Sequence, residues 1–564
     1  MNRRFSSVSS RAAAFAALIS LGACSTTPRH PPPRSQFDDA GYRRLVAALS
    51  SYEFEGRRPG SAGAQRAVDY LIDRLRRFGA KPGNHGSYRQ DVPMVAVEPV
   101  APTTLAIAGT PDHGPLTPVA AGDRVLWTPR ESGVGTLRRS RIVFVGYGID
   151  APALGRNDYA GVDVRGATVL VLGGAPAAWA RRLAGSGARD ALARAKFAAA
   201  AAHGAAGVLL IHRSGKFAMP WAAVVNRYGH GIIEAPAADG HAEDAAVEGW
   251  IRSRAVRQWF AAAGTSFDAA VARAQRPGFR AQSLDLVADA DVRATARRFT
   301  SPNLIAVVPG GERRRETVLF TTRWDGLGYG SGVDAGQVLP GAVEDASGTA
   351  GWLILAQAFA QADRRPERSI VFLATTGGAY GALCARYYVE HPIYPLARTV
   401  ADVNLAILHI GGPTRDVASL GPANSPLAPF LAKAAELQGR VVRPDPQPLR
   451  DRYLRSDAAV FAAHGVPALY ATGGLDDAAM GPVWGAARLD DYYDRRYQRP
   501  GDRYAPSWHL RGTLLDLHLY EDVGRRIARA RRRHLREGGG PTDQAPQERR
   551  EGSDRPRLLY GSNP

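Results

Sequence analysis

Apolar residues recur at helical spacing in two segments near the start of the chain. The first segment covers residues 40–51 and the second covers residues 62–80. Apolar positions three and four residues apart are typical of an amphipathic α-helix. Gly79 and Pro82 stand at the end of the second segment and predict that its helix stops there. A glycine-rich loop, residues 54–63, joins the two segments.

From about residue 101 to residue 290 the pattern changes to short, continuous apolar runs. Three of these runs, residues 141–148, 167–174 and 205–212, have the length and the β-branched content of buried strands. An alanine-rich stretch, residues 191–202, predicts a helix between the last two runs. We therefore predict a β-rich inserted domain over residues 101–290.

After residue 300, strand-like apolar runs alternate with helical patterns. The predicted strands include residues 316–322, 368–375, 402–410 and 466–472, and the longest helical pattern covers residues 347–362. Alternation of strands with helices is typical of a mainly parallel sheet that is covered on both faces. The predicted fold class is α/β, with a mainly parallel mixed sheet sandwiched by helices.

The first residues carry the pattern of an export signal. Arginines precede an apolar stretch, residues 12–21, which is too short to span a bilayer. Small residues lead into Cys24, so the segment resembles a bacterial lipoprotein signal in which residues 1–23 are removed and Cys24 is lipidated. The Pro-rich residues 24–39 predict a tether, and Ser25 is typical of lipoproteins sent to the outer membrane, facing the periplasm. The alternative is a buried N-terminal helix with an incidental cysteine.

The cysteine content bears on disulfide bonds, and the net charge bears on the kind of molecule that the protein binds. Cys384 is the only other cysteine, so an intramolecular disulfide is not expected in the mature chain. The formal net charge is +19, which alone would favour nucleic acid. The predicted export and the preference for arginine over lysine argue against nucleic acid, while an anionic lipid or cell-wall surface stays open. Residues 536–564 are polar and predict a disordered basic tail.

The ordered segments resemble the di-zinc aminopeptidase family, which includes bacterial leucyl aminopeptidases, glutamate carboxypeptidase II and the transferrin receptor. Residues 55–63 resemble the opening loop of that family. The peptidase core is represented, in the correct order, by "PNLIAVVPG", "PGAVEDASGTAGWLILAQAFA", "RSIVFLATTGGAYGALCARYY" and "RSDAAVFAAHGVPALYAT". The resemblance implies a peptidase-like domain in residues 40–100 and 291–535, interrupted by a protease-associated-like insertion in residues 101–290.

The chemistry of this family needs two zinc ions that share a carboxylate and activate a water, which a glutamate deprotonates. The resemblance implies that the base position is occupied by Gly378. It also implies that the metal-ligand positions are occupied by Arg323, Val343, Ala379, Ala406 and Gln498. Zinc, the cofactor expected for the family, is therefore predicted to be lost together with the catalytic base.

Electrostatics gives a reason for losing these residues together. Carboxylates packed around two dications repel one another once the metal is gone, so replacing them becomes stabilising. We expect the Arg323 guanidinium to enter the volume of a zinc ion and to pair with Asp325 or with a ligand carboxylate. The alternative is that Arg323 points to solvent from a loop. The vestigial pocket predicted from these positions consists of Arg323, Trp324, Asp325, Glu344, Asp345 and Tyr497.

Other kinds of site fit the residues less well. A rebuilt mononuclear metal site would draw on His409, Glu344 and Asp345, although an isolated strand histidine is more often a hydrogen-bonded core residue. Ser347 has no assignable His-Asp pair and is interpreted as a helix N-cap. Cys384 is interpreted as a small buried hydrophobe rather than as a nucleophile.

Together with the signal, the resemblance predicts a lipid-anchored envelope protein that has a metallo-aminopeptidase fold without catalysis. Such a pseudo-peptidase would bind a peptide or an envelope protein, would contact the membrane through its lipid anchor, and would not bind nucleic acid. Two alternatives stay open. One is an active metallo-aminopeptidase or exopeptidase with an atypical site, and the other is a structural component of an envelope assembly.

Overall fold

The computed structural model describes residues 37–109, 117–152, 155–176 and 190–531. The predicted signal, Cys24 and the predicted tail lie outside these ranges. Within them, no helix combines the length and the apolarity that crossing a membrane requires.

The described ranges form α-helices and β-strands in mixed order. In chain order, the helices are α1 (Asp39–Leu49), α2 (Ala62–Phe78), α3 (Asp190–Ala202), α4 (Trp221–Tyr228), α5 (Ser253–Ala262), α6 (Phe267–Ala274), α7 (Gly348–Ala360), α8 (Leu383–Glu390), α9 (Ala428–Glu436), α10 (Asp457–Ala463), α11 (Gly481–Asp491) and α12 (Arg511–Arg529). The strands are β1 (Lys81–Pro82), β2 (Arg89–Pro99), β3 (Thr104–Gly109), β4 (Thr117–Pro118), β5 (Arg124–Trp127), β6 (Val134–Phe144), β7 (Asp150–Ala151), β8 (Arg156–Asn157), β9 (Thr168–Leu172), β10 (Gly207–His212), β11 (Ile232–Glu234), β12 (Val247–Arg252), β13 (Gln282–Val308), β14 (Arg313–Arg323), β15 (Arg368–Thr375), β16 (Thr399–Asn404), β17 (Asp416–Ser419), β18 (Val441–Pro444) and β19 (Ala468–Gly473).

The middle of the central sheet is parallel. Strands β15, β14, β16 and β19 lie side by side in that order, and Phe320 of β14 is in register with Phe372 and Val403. Antiparallel strands flank this group, with β13 next to β15 and β17 next to β19. The prediction of a mainly parallel mixed sheet is confirmed.

Helices cover both faces of this sheet. Successive residues of a strand point to opposite faces, so a continuous apolar run places apolar side chains on both of them. Phe320 and Phe372 face the apolar cluster formed with α1, α2, α7 and α12. Leu319 faces the other side, where it packs with Tyr388 of α8 and Phe461 of α10. Burying one side chain of this size contributes about 1.5–3 kcal/mol. The continuous apolar runs in the sequence therefore become strands that are buried on both faces.

One long strand connects the central sheet to a second sheet. The first half of β13 pairs with β3 and β6, and its second half pairs with β2 and β15. The second sheet continues through β9, β10, β12 and β5. We call β3 to β12, with α3 to α6, the inserted unit. Residues 290 and 291, at which the two predicted domains meet, lie inside β13.

Helix α4 of the inserted unit reaches the loops of the central sheet. Asn226 donates one side-chain hydrogen bond to Asp334 Oδ2, at 2.8 Å, and another to the Gln498 carbonyl, at 2.9 Å. The Asn226 side-chain oxygen accepts from the Ser331 amide at 2.9 Å. The inserted unit is therefore held by polar contacts at the same edge of the sheet on which the predicted site lies.

The local signals of α2 determine its ends as expected. The Ser61 hydroxyl accepts a hydrogen bond from the Ala64 amide and caps the first turn. Gly79 adopts φ 85° at the last turn and donates its amide to the Arg76 carbonyl, a conformation that glycine takes at little cost.

Two local predictions are wrong. The apolar run 402–410 leaves the sheet after Asn404, because Leu405 and Leu408 pack into the helix-covered core instead of continuing the strand. Ser347 has helical dihedral angles and its hydroxyl makes no capping bond. The Ser347 hydroxyl instead donates back to the Val343 carbonyl at 2.7 Å.

Candidate functional site

The candidate site lies at the carboxyl ends of the parallel strands. Strand β14 ends at Arg323, in register with Thr375 at the end of β15, and β16 ends at Asn404 beside Thr321. The loops that follow these strands carry the positions that the sequence resemblance predicts to be substituted. The carboxyl ends of parallel strands share one edge of a sheet, which is where ligands bind in α/β folds.

Arg323 is buried at this edge, with 7% of its surface exposed. Its Nη2 lies 2.5 Å from Asp345 Oδ2 and 3.4 Å from Glu344 Oε1. Its ion pair is thus formed with Asp345, with Glu344 more distant, and not with Asp325 as expected from the sequence. The alternative of an arginine that points to solvent is also wrong.

The charges around Arg323 keep it protonated. Burial alone would lower its pKa, but the carboxylates of Asp345 and Glu344 raise that pKa well above its ordinary value. Burial raises the pKa of the Asp345 carboxyl, and the guanidinium opposes this rise. Because each charge is desolvated, each depends on the other, and removing either one would leave an uncompensated buried charge.

Asp325 is held separately, two residues beyond the strand. Its Oδ1 accepts a hydrogen bond from the Gly378 amide at 3.3 Å. Its Oδ2 is buried without a hydrogen-bond partner among the described residues. Burial raises the pKa of Asp325 to about 6, against the opposing charge of Arg323.

Gly378 leaves the space that Arg323 fills. A Cβ atom at position 378 would lie 2.1 Å from Arg323 Cδ, 2.9 Å from its Nε and 3.0 Å from its Cγ. Real Cβ contacts are essentially never this short, so a side chain at position 378 and the present position of Arg323 exclude one another. The residues at positions 323 and 378 are therefore coupled in space although they belong to different loops.

Glu344, rather than Val343, faces this pocket. Val343 packs against the cluster of Tyr492, Tyr493 and Tyr497. Glu344 Oε1 accepts a hydrogen bond from the Tyr497 hydroxyl at 3.1 Å. The sequence resemblance expects a metal ligand at position 343. In the structure, the next residue, Glu344, presents its carboxylate to Arg323.

The aspartate that follows the Tyr-Gln pair fixes the backbone of this segment. Asp502 accepts hydrogen bonds from the Val343 amide at 2.8 Å and from the Glu344 amide at 3.1 Å. Burial raises the pKa of Asp502 to about 7, and these two amides oppose the rise. Asp502 thus orients the Glu344 carboxylate through the main chain.

Tyr497 connects Glu344 to a second arginine. Arg455 Nη1 donates to the Tyr497 hydroxyl at 2.6 Å, and the Gln498 side chain donates to the same oxygen at 3.3 Å. Burial raises the pKa of Tyr497 well above its ordinary value, although the charge of Arg455 opposes this. The phenol therefore stays protonated and donates to Glu344.

Trp324 does not belong to the pocket, contrary to the prediction. Its ring is buried in the core between the central sheet and the helices, and its indole nitrogen donates to the Pro302 carbonyl at 3.0 Å. Successive residues point in opposite directions where β14 ends, so Arg323 and Trp324 cannot share one side.

Two adjoining cavities open at this edge of the sheet. The first is lined by Asp325, Asp345 and Gln498 among others. The second shares Arg323, Glu344, Ala379 and Gln498 with the first. We call the second cavity the arginine pocket, and its lining includes Arg227, Arg323, Arg452, Arg455, Glu344, Ala406, Tyr493 and Tyr497.

Sequence reasoning missed Arg227, Arg452 and Arg455. A signal existed for two of them, because "RDRYLRSD" places closely spaced arginines directly before α10, which packs under the strand ends. Arg227 carries no local signal. It lies on α4 of the inserted unit and reaches the pocket only through the tertiary structure.

The residues of this edge do not fit a dinuclear zinc centre. Such a centre needs several nitrogen or oxygen donors around each ion, and among the described residues no group of three or more His, Cys, Asp or Glu is arranged to hold a metal. The guanidinium of Arg323 pairs with Asp345 and lies near Glu344, in a cavity that Asp325 and Asp502 also line.

His409 does not join these carboxylates. Its Nε2 contacts the Gly412 carbonyl at 3.1 Å, and its ring lines a separate cavity together with Val343 and Trp484. Burial lowers the pKa of His409, as for a neutral core histidine. Cys384 is fully buried in an apolar cluster, and burial raises the pKa of its thiol, which fits a small hydrophobe.

Comparisons with known proteins place this fold. Residues 303–520 match the model of peptidase family M28, whereas the curated proteins give no match. An aminopeptidase from Aneurinibacillus is similar over 87% of this chain and 94% of its own, with 18% identity and a TM-score of 0.50.

Two further structures show the same kind of likeness. A zinc aminopeptidase from Bacillus subtilis covers 86% of this chain and 94% of its own at 15% identity, with a TM-score of 0.46. A peptidase M28 precursor from Shewanella amazonensis covers 87% and 98% at 16% identity, with a TM-score of 0.45. The matched segment contains β14, β15, β16 and the loops that carry Arg323, Glu344 and Gly378. Residues 303–520 of this chain are therefore similar to peptidase family M28, and the chain has the mixed α/β fold of the aminopeptidases in this family.

Proposed function

We propose that this chain is a pseudo-peptidase, which keeps the aminopeptidase fold, lacks the zinc centre and binds a peptide or protein without cleaving it. The observation that carries the proposal is the position of Arg323. Its guanidinium is ion-paired with Asp345, and its side chain occupies the space that any side chain at position 378 would need. The general base that the family resemblance expects at position 378 is therefore incompatible with this arginine.

Charge supports the same conclusion. A fixed positive charge next to the remaining carboxylates supplies part of the compensation that dications would otherwise give. A zinc ion at the same edge would be repelled by the guanidinium in a region of low dielectric constant. The substitutions at positions 323, 378, 379, 406 and 498 thus act in one direction, because each removes a donor or adds a charge of the wrong sign.

The test is the zinc content of the purified full chain, measured by elemental analysis after zinc loading and desalting. Hydrolysis of an aminoacyl p-nitroanilide is measured on the same sample. We expect zinc far below one ion per chain and no hydrolysis above the blank. A matched sample of the Cys384→Ala variant controls for zinc held by the thiol. Tightly held stoichiometric zinc, with hydrolysis that a chelator abolishes, would refute the proposal.

One observation favours the second candidate, an active peptidase with an atypical site. Asp325 Oδ2, Glu344 Oε2 and Asp345 Oδ1 are buried acceptors without a hydrogen-bond partner in the described part of the chain. Carboxylate oxygens of this kind could accept a cation. Under this alternative, Glu344→Gln would lower both the metal content and the hydrolysis, whereas the pseudo-peptidase has neither to lose.

We also propose that the chain is exported and lipid-anchored at Cys24, on the strength of the signal pattern in residues 1–23. Labelling with radioactive palmitate in a bacterial host should mark the wild-type chain and leave the Cys24→Ser variant unlabelled. Equal labelling of the two chains would disprove the anchor.

The third candidate, a structural component of an envelope assembly, predicts that partners are held by the basic tail. A pull-down from membranes with and without residues 536–564 distinguishes it, because partner capture would then require the tail. A partner that is retained after removal of the tail but lost in variants of the arginine pocket would favour the pseudo-peptidase.

A further inference from the structure

The amino ends of the parallel strands form the edge of the central sheet that lies opposite the candidate site. Arg313 at the start of β14 is in register with Arg368 at the start of β15. The Thr317 hydroxyl lies 3.1 Å from the Thr399 hydroxyl at the start of β16. At roughly 3.3 Å per residue, the 11 residues of β14 put this edge about 30–35 Å from Arg323.

Two arginines fasten the elements that meet at this edge. Arg368 is fully buried, and its Nη1 donates to the Ala530 carbonyl at the end of α12, at 2.7 Å. Arg313 Nη1 donates to the same carbonyl at 2.6 Å. Arg368 also pairs with Glu316, and Arg313 pairs with Glu367. The charges of these two arginines are therefore used inside the fold, and they hold the edge in one arrangement.

Further arginines at the same edge have exposed side chains. Two lie at the start of β14, where its pairing with β15 is interrupted, two in the loop before β15, one directly before β16 and two at the end of α12. Among the described residues, none of them has an ion pair or a side-chain hydrogen bond. They are Arg314, Arg315, Arg364, Arg365, Arg398, Arg529 and Arg531.

The charge of these arginines is only partly balanced. Glu312 and Asp363 are the exposed acidic residues in the same two loops, and within the described ranges neither forms an ion pair. Seven arginines against two acidic residues leave an excess of five positive charges. An excess of one sign on one face creates a potential that attracts a partner of the opposite sign.

Helix dipoles do not account for most of these arginines. The carboxyl end of a helix favours cations within its last turn, which applies to Arg529 of α12. Helix α7 ends at Ala360, four residues before Arg364, and Arg314 and Arg315 belong to a strand. Stabilisation of the fold therefore does not explain why these three positions carry arginine.

We propose that this edge, which we call the basic edge, docks on the anionic surface of a lipid bilayer. None of its seven exposed arginines lines one of the three cavities described above, so the edge offers an extended surface rather than an enclosed anion site. Arginines fixed on one edge contact several headgroups at once, and their contributions near an anionic surface add up. In this orientation the candidate site, at the opposite edge, faces away from the lipid.

The path of the chain lets the proposed anchor at Cys24 reach the same bilayer. Phe37, the first described residue, stacks on His518 of α12 with ring centroids 4.3 Å apart. His518 precedes Arg529 by 11 residues, which is about 16 Å along a helix. Cys24 precedes Phe37 by 13 residues, and an extended chain of that length spans about 45 Å. The anchor and the basic edge are therefore compatible, although docking of the edge does not require the anchor.

The test is vesicle flotation of the full chain carrying Cys24→Ser, which removes the anchor and leaves only the protein to bind. Vesicles of an equal mixture of phosphatidylcholine and phosphatidylglycerol are compared with vesicles of phosphatidylcholine alone. We expect strong binding to the anionic vesicles at low salt and much weaker binding to the neutral ones. Binding to the anionic vesicles should be lost near 1 M salt, where charges are screened beyond about 3 Å.

Variants assign the binding to the basic edge. The edge variant carries Arg314→Gln, Arg315→Gln, Arg364→Gln and Arg365→Gln. It should bind anionic vesicles at least about 100-fold more weakly, because each arginine near such a surface contributes roughly fivefold. Replacement of the same four arginines by lysine should retain most of the binding.

A control variant has the same net charge as the edge variant. It replaces four exposed arginines on or next to the inserted unit by glutamine, and it should bind anionic vesicles nearly as well as the parent chain. These arginines are Arg141, Arg276, Arg280 and Arg293. Circular dichroism of each variant checks that it is folded.

Several outcomes would overturn the proposal. Equal binding to both kinds of vesicle would do so, and so would equal weakening in the edge and control variants, because binding would then follow net charge alone. Displacement by millimolar inorganic phosphate at constant ionic strength would assign the arginines to a free anion, and tighter binding of a DNA duplex would assign them to nucleic acid. None of these measurements depends on zinc or on hydrolysis, so the result is independent of the proposed function.

Discussion

Gly378→Ala tests the coupling between position 378 and Arg323 most directly. The new methyl group would lie 2.1 Å from Arg323 Cδ, so the arginine side chain has to move. The backbone of Gly378 is not in the left-handed region, so the substitution adds no backbone strain. Any destabilisation therefore reports the clash between the two side chains.

The expected magnitude follows from two contributions. Overpacking of a buried site costs about 1–3 kcal/mol. Displacement of Arg323 also lengthens its 2.5 Å contact with Asp345, and breaking a buried ion pair completely costs about 3–5 kcal/mol. Partial displacement leads us to expect a loss of roughly 2–4 kcal/mol in the free energy of unfolding.

The assay is urea unfolding followed by tryptophan fluorescence, which gives the free energy of unfolding by linear extrapolation. In an Arg323→Ala background the same Gly378→Ala change should cost much less, because the clashing atoms are gone. Gly311→Ala is the control, since the atom nearest to its new methyl group, the Pro366 carbonyl oxygen, would lie at an ordinary 3.8 Å. The coupling argument fails if Gly378→Ala costs no more than Gly311→Ala, or if its cost is the same with and without Arg323.

Three further changes test other parts of the structure. Asp345→Asn leaves Arg323 buried without its closest anion and should lower the free energy of unfolding, measured with urea, by about 3–5 kcal/mol. A smaller decrease than that caused by Asp69→Asn, at an exposed position, would contradict the ion pair. Burial raises the pKa of Glu248 to about 8 from an ordinary 4.5, so the folded protein loses stability as the pH rises between these values. The free energy of unfolding of Glu248→Gln, relative to wild type, should therefore increase by about 2–4 kcal/mol from pH 5 to pH 8. Thermal unfolding at both pH values measures this gain, and a constant difference would disprove it. Ser61→Ala removes the cap of α2 and should cost about 0.5–2 kcal/mol by urea unfolding, whereas Ser61→Asp should restore most of the loss.

Much of the fold could be predicted from the sequence because its elements are specified locally. The apolar spacing and the Gly79 stop predicted α2, and the alternation of apolar runs with helical patterns predicted the parallel centre of the sheet. The errors arose where tertiary packing outweighed a local pattern. The apolar run beyond Asn404 is buried against helices instead of continuing a strand, and the Ser347 hydroxyl bonds back to the Val343 carbonyl instead of capping α7.

The candidate site could be predicted only in part. The sequence predicted which positions are substituted, and it placed Arg323 correctly at the end of a strand, since strand ends follow from residue order. It paired Arg323 with the nearby Asp325 and counted Trp324 in the pocket. In the structure, Asp345 provides the partner, Glu344 faces the pocket and Trp324 is in the core.

The sequence by itself thus determined the elements, their order and the identity of the groups at the strand ends, because these depend on spacing along the chain. The tertiary structure alone decided which charges meet. Asp345, the partner of Arg323, lies on a different loop, and the Arg323 side chain fits only because Gly378 has no side chain. Arg227 lies on the inserted unit and lines the same pocket. Such contacts join segments that are far apart in the chain, so the sequence does not show them. At this buried edge the low dielectric constant strengthens each charge interaction and makes an unpaired charge costly.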